Sequence, residues 1–432
     1  MTELAVQRDS ASRSDVAAAV RGITDRARLA SRHMARATRA EKDAALEAIA
    51  AALLAARDDV LAANALDLAA ARASGTSTAL LDRLTLTEPR IRSLAQALEN
   101  LVAQPDPVGQ VVRGQTLPNG LRLRQVHVPI GVVAAIYEAR PNVGVDIASL
   151  ALKSGNAVIL RGGTAAAQTN QALVQVLRSA LAAVSLPPDA VQSVDEYGRA
   201  GADALMRARG HVDLLIPRGG RELIQTVLNN SSVPVIETGE GNVHIFLDRS
   251  ADARMAEEIV LNAKTQRPSV CNTVETLLVH SGSGVLPGVL AALDAANVRL
   301  HLDDRAMAAL PAGIAAQSAT EEDWGREYMD LDLAVAVVDS LDEAMAHIRR
   351  WSTGHTEAIV TNDLANAERF IAEVDSAAVM VNASTRFTDG GEMGLGAEVG
   401  ISTQKLHARG PMGLQELTTT KWIVRGDGHI RG

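Results

Sequence analysis

An open, mostly parallel α/β architecture in two units is the fold class the sequence predicts, and three observations predict it. Residues 131–136 read Gly-Val-Val-Ala-Ala-Ile, a helical stretch follows through 145–152, and residues 157–160 read Ala-Val-Ile-Leu. Two apolar runs of strand length flanking a helix make a βαβ unit, and unbroken apolar runs suit strands buried on both faces. Two further runs, at 213–216 and 233–236, are followed by glycines at Arg218-Gly219-Gly220 and Gly239-Glu240-Gly241. After Val243-His244-Ile245-Phe246-Leu247 a second α/β segment alternates helices and strands up to Val379-Met380-Val381-Asn382. Ligands are expected where parallel strands end.

The other elements follow in chain order. From Ser14 to about Leu101 the chain is Ala-rich with charges every three or four residues, which predicts several amphipathic helices. A coiled coil is excluded by the breaks at Gly75-Thr76-Ser77 and Glu88-Pro89. Between Val111 and Val128 apolar and polar residues alternate around Asn119-Gly120, the pattern of a β-hairpin. Such a hairpin is marginal alone and should lean on another element or another subunit. Helices are expected over 168–184 and 253–263, and a strand over 276–280. Lys421-Trp422-Ile423-Val424-Arg425 reads as a late strand able to pair with the hairpin of its own or a neighbouring copy.

Composition narrows the function classes. Over 432 residues, 47% are apolar and 22% charged, the balance of a globular protein with room for two or three domains. Net charge is −9 and the chain has only three each of Phe, Trp and Tyr, so neither a basic stripe nor a base-stacking platform is visible. Small molecules and other copies of the chain are the expected partners, with no nucleic acid and no membrane. Met1-Thr2-Glu3-Leu4-Ala5 lacks a signal-peptide pattern and no apolar run reaches spanning length. With the single unpaired thiol this points to a reducing cytoplasm.

That thiol is Cys271, in Arg267-Pro268-Ser269-Val270-Cys271-Asn272-Thr273-Val274-Glu275-Thr276. A lone cysteine forms no internal disulfide, and no His or Cys stands near it at ligand spacing, so no metal is expected. What remains is a nucleophile in a polar loop or a small core filler, and spacing does not separate the two. No G-x-G-x-x-G follows a strand, so the ordinary dinucleotide fingerprint is missing and the glycine pairs read either as phosphate cradles or as plain turns.

Several runs resemble one family. They are Val270 to Thr276, Trp351-Ser352-Thr353-Gly354-His355-Thr356-Glu357, residues 381–391, Gly394-Leu395-Gly396-Ala397-Glu398-Val399, and residues 403–411. Together they are similar to the γ-glutamyl phosphate reductase (glutamate-5-semialdehyde dehydrogenase) family of the aldehyde dehydrogenase superfamily. Trp351 departs from the family pattern. The resemblance implies an aldehyde dehydrogenase-like fold with a Rossmann-like cofactor domain (1–110 and 129–242), an α/β catalytic domain (243–410) and a small β oligomerisation arm (111–128 and 411–432). It also implies NADPH-dependent reduction of L-glutamate 5-phosphate to L-glutamate 5-semialdehyde in proline biosynthesis, in a cytoplasmic homo-oligomer. Lability of the acyl phosphate makes contact with glutamate 5-kinase an expectation. The competing readings are a non-phosphorylating NAD(P)-dependent aldehyde dehydrogenase and a non-catalytic assembly protein.

By the same resemblance Cys271 is the nucleophile. Asn142 is a candidate oxyanion donor, with a loop-stabilising Asx turn as the alternative. Glu237 stands where superfamily members carry a general base, and either assists proton transfer or ends a strand. Arg161, Gly162 and Gly163 are placed at the adenosine ribose and extra phosphate of NADP, Arg218, Gly219 and Gly220 at the pyrophosphate, and Glu327 at the nicotinamide ribose. Arg267, Asn382, Ser384, Thr385 and Arg386 are candidate substrate anion contacts, Asp389 a candidate for the ammonium, and His355 either a phosphate contact or a structural histidine.

Overall fold

The computed structural model describes residues 13–138 and 140–431. The signal-peptide reading of residues 1–5 therefore lies outside the described residues. The chain divides into two compact units. One holds the described residues through Glu237, residues 394–400 and those from Met412 onward; the other holds 238–393 and 401–411. The division falls at Glu237/Thr238, and the hairpin and tail strands group with the first unit.

The first unit opens with five helices, α1 (Arg13–Met34), α2 (Arg39–Ala55), α3 (Arg57–Ala73), α4 (Thr78–Leu84) and α5 (Glu88–Ala103). Local chemistry sets their ends. Thr38 and Glu41 form a reciprocal capping box at α2, and Thr87 caps α5 with Pro89 in its first turn. A three-stranded antiparallel sheet follows, with β1 (Val111–Thr116), β2 (Arg122–Pro129) and the tail strand β16 (Thr418–Arg425) in the order β1-β2-β16. The tail thus pairs with the hairpin of its own chain, Thr418 opposite Pro129 through Arg425 opposite Arg122.

Strands β3 (Val132–Tyr137), β4 (Ala157–Arg161), β5 (Val191–Ser193) and β6 (Leu214–Arg218) form a parallel sheet in the order β5-β4-β3-β6. All six residues of β3 are buried, as the unbroken apolar run requires. The crossover helix α6 (Pro141–Lys153) is buried on nearly all sides, and Gly144 lets it approach β3: a Cβ there would fall 2.5 Å from Tyr137 Oη. Helices α7 (Ala167–Ala183), α8 (Gly198–Met206) and α9 (Arg221–Asn230) complete the unit. The strand expected at 233–236 is only a single bridge between Leu215 and Val235. Pro234 has no N–H to extend the ladder.

The second unit is built on a seven-stranded parallel sheet. Its strands are β7 (Val243–Leu247), β8 (Val274–His280), β9 (Arg299–Leu302), β10 (Ala316–Ser318), β11 (Asp332–Val338), β12 (Thr356–Val360) and β13 (Ala378–Val381), in the order β10-β9-β11-β8-β7-β12-β13. Helix α10 (Ala253–Thr265), capped by Asp252, lies between β7 and β8 in sequence. Its face Ala256, Ile259, Val260 and Ala263 packs into the core with Ile245, Leu247 and Leu277. Two short strands, β14 (Ile401–Ser402) and β15 (Gly410–Pro411), pair antiparallel.

Candidate active site

The second unit positions Cys271 between the end of α10 and the start of β8, in the turn 266–273. The turn is closed by Thr273, whose N–H donates to the Val270 carbonyl at 3.1 Å and whose hydroxyl donates to the Arg267 carbonyl at 2.8 Å. A second clamp holds it from outside. Asn272 Nδ2 donates to the Thr388 carbonyl at 2.9 Å and the Arg386 carbonyl at 3.4 Å, while Thr385 Oγ1 donates to the Asn272 carbonyl at 2.7 Å. Asn272, Thr273 and Thr385 are buried and Cys271 is half-buried. The cysteine sits on a fixed backbone with its own residue still reachable by solvent.

Glycine permits the closest approach. A Cβ at Gly241 would fall 1.4 Å from the Cys271 carbonyl oxygen, so only a residue without a side chain fits there. The Gly241 N–H in turn donates to Glu327 Oε1 at 3.1 Å. Glu327 is thereby brought to the cysteine loop through one intervening backbone.

Charges of both signs gather at the cysteine loop, Arg267 and Arg386 with Asp389 and Glu392. Arg386 Nε donates to Gln266 Oε1 at 2.8 Å, and its backbone N–H is capped by Ser384 Oγ at 3.3 Å. Burial lowers the Arg386 pKa from its ordinary value, opposed by Asp389 and by Cys271, with Arg267 acting in the same direction as burial. Arg386 therefore lies within electrostatic reach of both Cys271 and Arg267. A guanidinium remains charged at any physiological pH, and a thiolate beside it is favoured over the thiol.

The predicted substrate residues separate into two groups. Arg267 and Arg386 stand at the cysteine loop, and Ser384 and Thr385 build its support, their hydroxyls engaged with Arg386 N–H and the Asn272 carbonyl. Asn382 lies apart from this group in its bonding. Its amide is used at both ends on Thr361, accepting from the N–H and donating to the carbonyl at 2.9 Å each, and at φ 53 it turns the chain out of β13. It is a strand-end clamp, one of the few residue types that tolerates that backbone. Asp389 Oδ1 accepts the N–H groups of Gly391 and Glu392. His355 is buried, with Nδ1 at 2.8 Å from Thr356 Oγ1.

Asn142 and Glu237 belong to the first unit. Asn142 is the second residue of α6 and donates to Asp146 Oδ2 at 3.1 Å, a bond within one helical turn rather than an Asx turn. Burial pushes the Asp146 carboxyl up to about 6. Glu237 is half-buried, two residues past the Leu215–Val235 bridge.

Sequence reasoning did not single out Asn272, Gly241 or Glu138. The glycine at 241 was legible only as turn punctuation, and the asparagine as the neighbour of the cysteine.

The aldehyde dehydrogenase family model matches residues 4–321. The γ-glutamyl phosphate reductase of Clavibacter michiganensis subsp. michiganensis is 63% identical over 412 residues, covering 95% of each chain. The chain belongs to the γ-glutamyl phosphate reductase family. A solved γ-glutamyl phosphate reductase from Thermotoga maritima shares 44% identity at a TM-score of 0.92, covering 96% of this chain and 100% of that one. An acetylating aldehyde dehydrogenase from Geobacillus thermoglucosidasius, at 17% identity and a TM-score of 0.73 over 97% and 99% of the two chains, shares the fold.

Aldehyde dehydrogenases use nicotinamide cofactors, and the first unit of this γ-glutamyl phosphate reductase family member can be tested for fit. The order β5-β4-β3-β6 reverses direction at β3, which puts a ligand crevice at the C-terminal ends of the strands. There Arg161 Nε and Asn170 Oδ1 are buried without a hydrogen-bond partner among the described residues, and the Asn170 amide lies against the Asp195 carboxylate. Asp195 also accepts the Gly162 N–H at 2.7 Å, and burial raises its carboxyl to about 6 against that bond and the charge of Arg161. A Cβ at Gly162 would fall 1.9 Å from Asn170 Nδ2. These donors and acceptors suit a ribose and an anionic group. At the end of β6, on the other side of β3, Gly220 caps α9 and its N–H donates to Glu138 Oε2 at 3.0 Å. The helix start predicted for the pyrophosphate thus already faces a carboxylate.

Among the described residues no group of three or more His, Cys, Asp or Glu is arranged to hold a metal ion, and no helix is long and apolar enough to cross a membrane.

Proposed function

We propose that this chain reduces L-glutamate 5-phosphate to L-glutamate 5-semialdehyde with NADPH, through a thioester on Cys271. The observation that carries the reading is the clamped Cys271 turn with Arg386 within electrostatic reach of the sulfur position. The thiolate attacks the acyl carbon, the carbon–oxygen bond to phosphate breaks, and phosphate leaves with the electron pair. NADPH supplies a hydride when bound. After hydride addition the carbon–sulfur bond breaks, the aldehyde leaves and the thiolate is regenerated. Covalent capture divides one hard displacement into two easier ones.

Arg386 and Arg267 support the acyl phosphate and the departing phosphate, because guanidinium groups match phosphate oxygens in charge and geometry. Arg161, with Gly162 and Gly163, is assigned to the adenosine ribose and the extra phosphate of NADP, and Glu327 to the nicotinamide ribose. A carboxylate is the natural acceptor for two ribose hydroxyls. Asn142 and the Cys271 N–H are assigned to the oxyanion, each worth about 3 kcal/mol where it engages. Glu237 is kept as a proton-transfer candidate, since no attacking water is required in this reaction. The exposed edge of β1, all six of whose residues are solvent-accessible, supports assembly with further copies of the chain.

Phosphate-dependent oxidation of glutamate semialdehyde with NADP, run on wild type and Cys271→Ala, tests the reading. Wild type should need phosphate and the variant should be inactive. Phosphate-independent oxidation would favour a non-phosphorylating dehydrogenase, and near-normal turnover by Cys271→Ala would remove the nucleophile.

A further inference from the structure

Lys264 and Glu275 form a fully buried ion pair in the second unit, Nζ to Oε2 at 2.6 Å, and the chemistry above uses neither. Lys264 Nζ also donates to the Val274 carbonyl at 2.9 Å. Burial pushes the Glu275 carboxyl up, against the pull of Lys264 that favours its charged form, and burial lowers Lys264 from its ordinary value. Such pairs stabilise a fold poorly, because desolvation offsets most of their attraction. Position gives this one another use.

Glu275 lies four residues after Cys271 on β8, and its second oxygen, Oε1, accepts the N–H of Met329 at 3.3 Å. Met329 has φ 56, a left-handed conformation that a methionine holds only when its surroundings impose it. Two residues earlier, Glu327 Oε1 accepts the Gly241 N–H, and Gly241 packs on the Cys271 carbonyl. The contacts close a ring from Cys271 along β8 to Glu275, across to Met329, back to Glu327, and through Gly241 to Cys271. Tyr328 fixes the same turn on its other side, with its hydroxyl donating to Asp323 at 2.8 Å and its ring stacked on His301 at 5.1 Å.

We propose that Glu275 and Lys264 are positioning residues that fix the Glu327 turn relative to Cys271, and so the nicotinamide ribose relative to the acylated sulfur. This rests on the assignment of Glu327 to that ribose and of Cys271 to the thioester. A carboxylate is needed at 275 because it accepts from both Lys264 and Met329. A glutamine offers one oxygen, so whichever partner it satisfies, its NH₂ faces the other donor.

The test uses the full-length enzyme with Glu275→Gln, Glu327→Gln and their double variant. Two quantities are read in each: single-turnover hydride transfer and the rate of Cys271 alkylation by iodoacetamide. Glu275→Gln should slow hydride transfer by about tenfold or more while alkylation stays near the wild-type rate. Glu327→Gln should do the same, and the double variant should be no slower than the slower single one. If Glu275→Gln does not fold, Lys264→Met/Glu275→Gln removes the buried charge, and the same slowing is expected of it. Unchanged hydride transfer in a folded Glu275 variant, beside a slow Glu327→Gln, overturns the positioning role alone. Parallel loss of alkylation also overturns it, since the pair would then merely hold the cysteine strand. Unchanged hydride transfer in Glu327→Gln overturns the ribose assignment and the inference with it.

Discussion

Gly241 and Cys271 are packed backbone to backbone, so that a Cβ on the glycine would sit 1.4 Å from the cysteine carbonyl oxygen. Neither backbone is free to yield, because Asn272 and Thr385 hold one side and Glu327 the other. Gly241→Ala should displace the cysteine turn and lower turnover by about 100-fold, the usual effect of moving a reacting group by about 1 Å. Gly288, where a Cβ would meet nothing within 4 Å in a helix, is the control. Gly288→Ala should keep full activity and melt slightly higher.

The outer clamp should behave as a unit. Asn272→Ala leaves the Thr388 carbonyl without its side-chain donor, and Thr385→Val removes the hydroxyl from the Asn272 carbonyl. Each should cost about 1–3 kcal/mol in transition-state stabilisation, measured as kcat/KM. The double variant should cost less than the sum, because both act on the same turn.

Arg386→Gln should slow alkylation of Cys271 near neutral pH, because the charge favouring the thiolate is gone. It should also raise KM for the acyl phosphate. An unchanged alkylation rate would place the guanidinium's influence on substrate alone.

At the first unit's crevice, Glu138 competes with any anion at the start of α9. Glu138→Gln should therefore tighten NADPH binding severalfold, corresponding to about 0.3–1 kcal/mol, as read by fluorescence titration. A lower melting temperature with unchanged affinity would make Glu138 a helix cap instead.

Acid should destabilise the second unit through His347. Burial, then the neighbouring His244 and Arg350, hold this imidazole down to about 4, below its ordinary 6.5. A group depressed in the folded state contributes fully above 6.5, and that contribution is lost as pH falls through 4. The lost contribution is about 2–3 kcal/mol. Denaturant unfolding of wild type and His347→Phe at pH 7 and pH 4 should show a smaller acid penalty in the variant.

The strands and helices were legible where the pattern was unambiguous, as in β3, β7 and the Ala-rich helices, and the tail strand was legible from its short run Lys421 to Arg425. The segment 233–236 was not, because its apolar run masked the missing N–H of Pro234. Within the candidate site, the Cys271 loop with Arg267 and the Arg386 segment were singled out by local residue chemistry and resemblance, and the structure places Arg386 within electrostatic reach of both Cys271 and Arg267. The role of Asn382 at the end of β13 was not legible, because an asparagine in a polar loop looks the same whether it meets a ligand or bends the chain at positive φ. The Glu275–Met329 bond spans 54 residues, and no spacing rule reports such a contact. Buried charge in the motif after Cys271 was its only trace.

The central claim is that Cys271 is acylated and that phosphate, not water, releases the acyl group. Mixing enzyme, NADP and glutamate semialdehyde without phosphate tests it directly. The account predicts a burst of one NADPH per active site that stops, a glutamyl adduct on the Cys271 peptide, and turnover resuming when phosphate is added. Steady NADPH production without phosphate, or a burst with no adduct on Cys271, would contradict it.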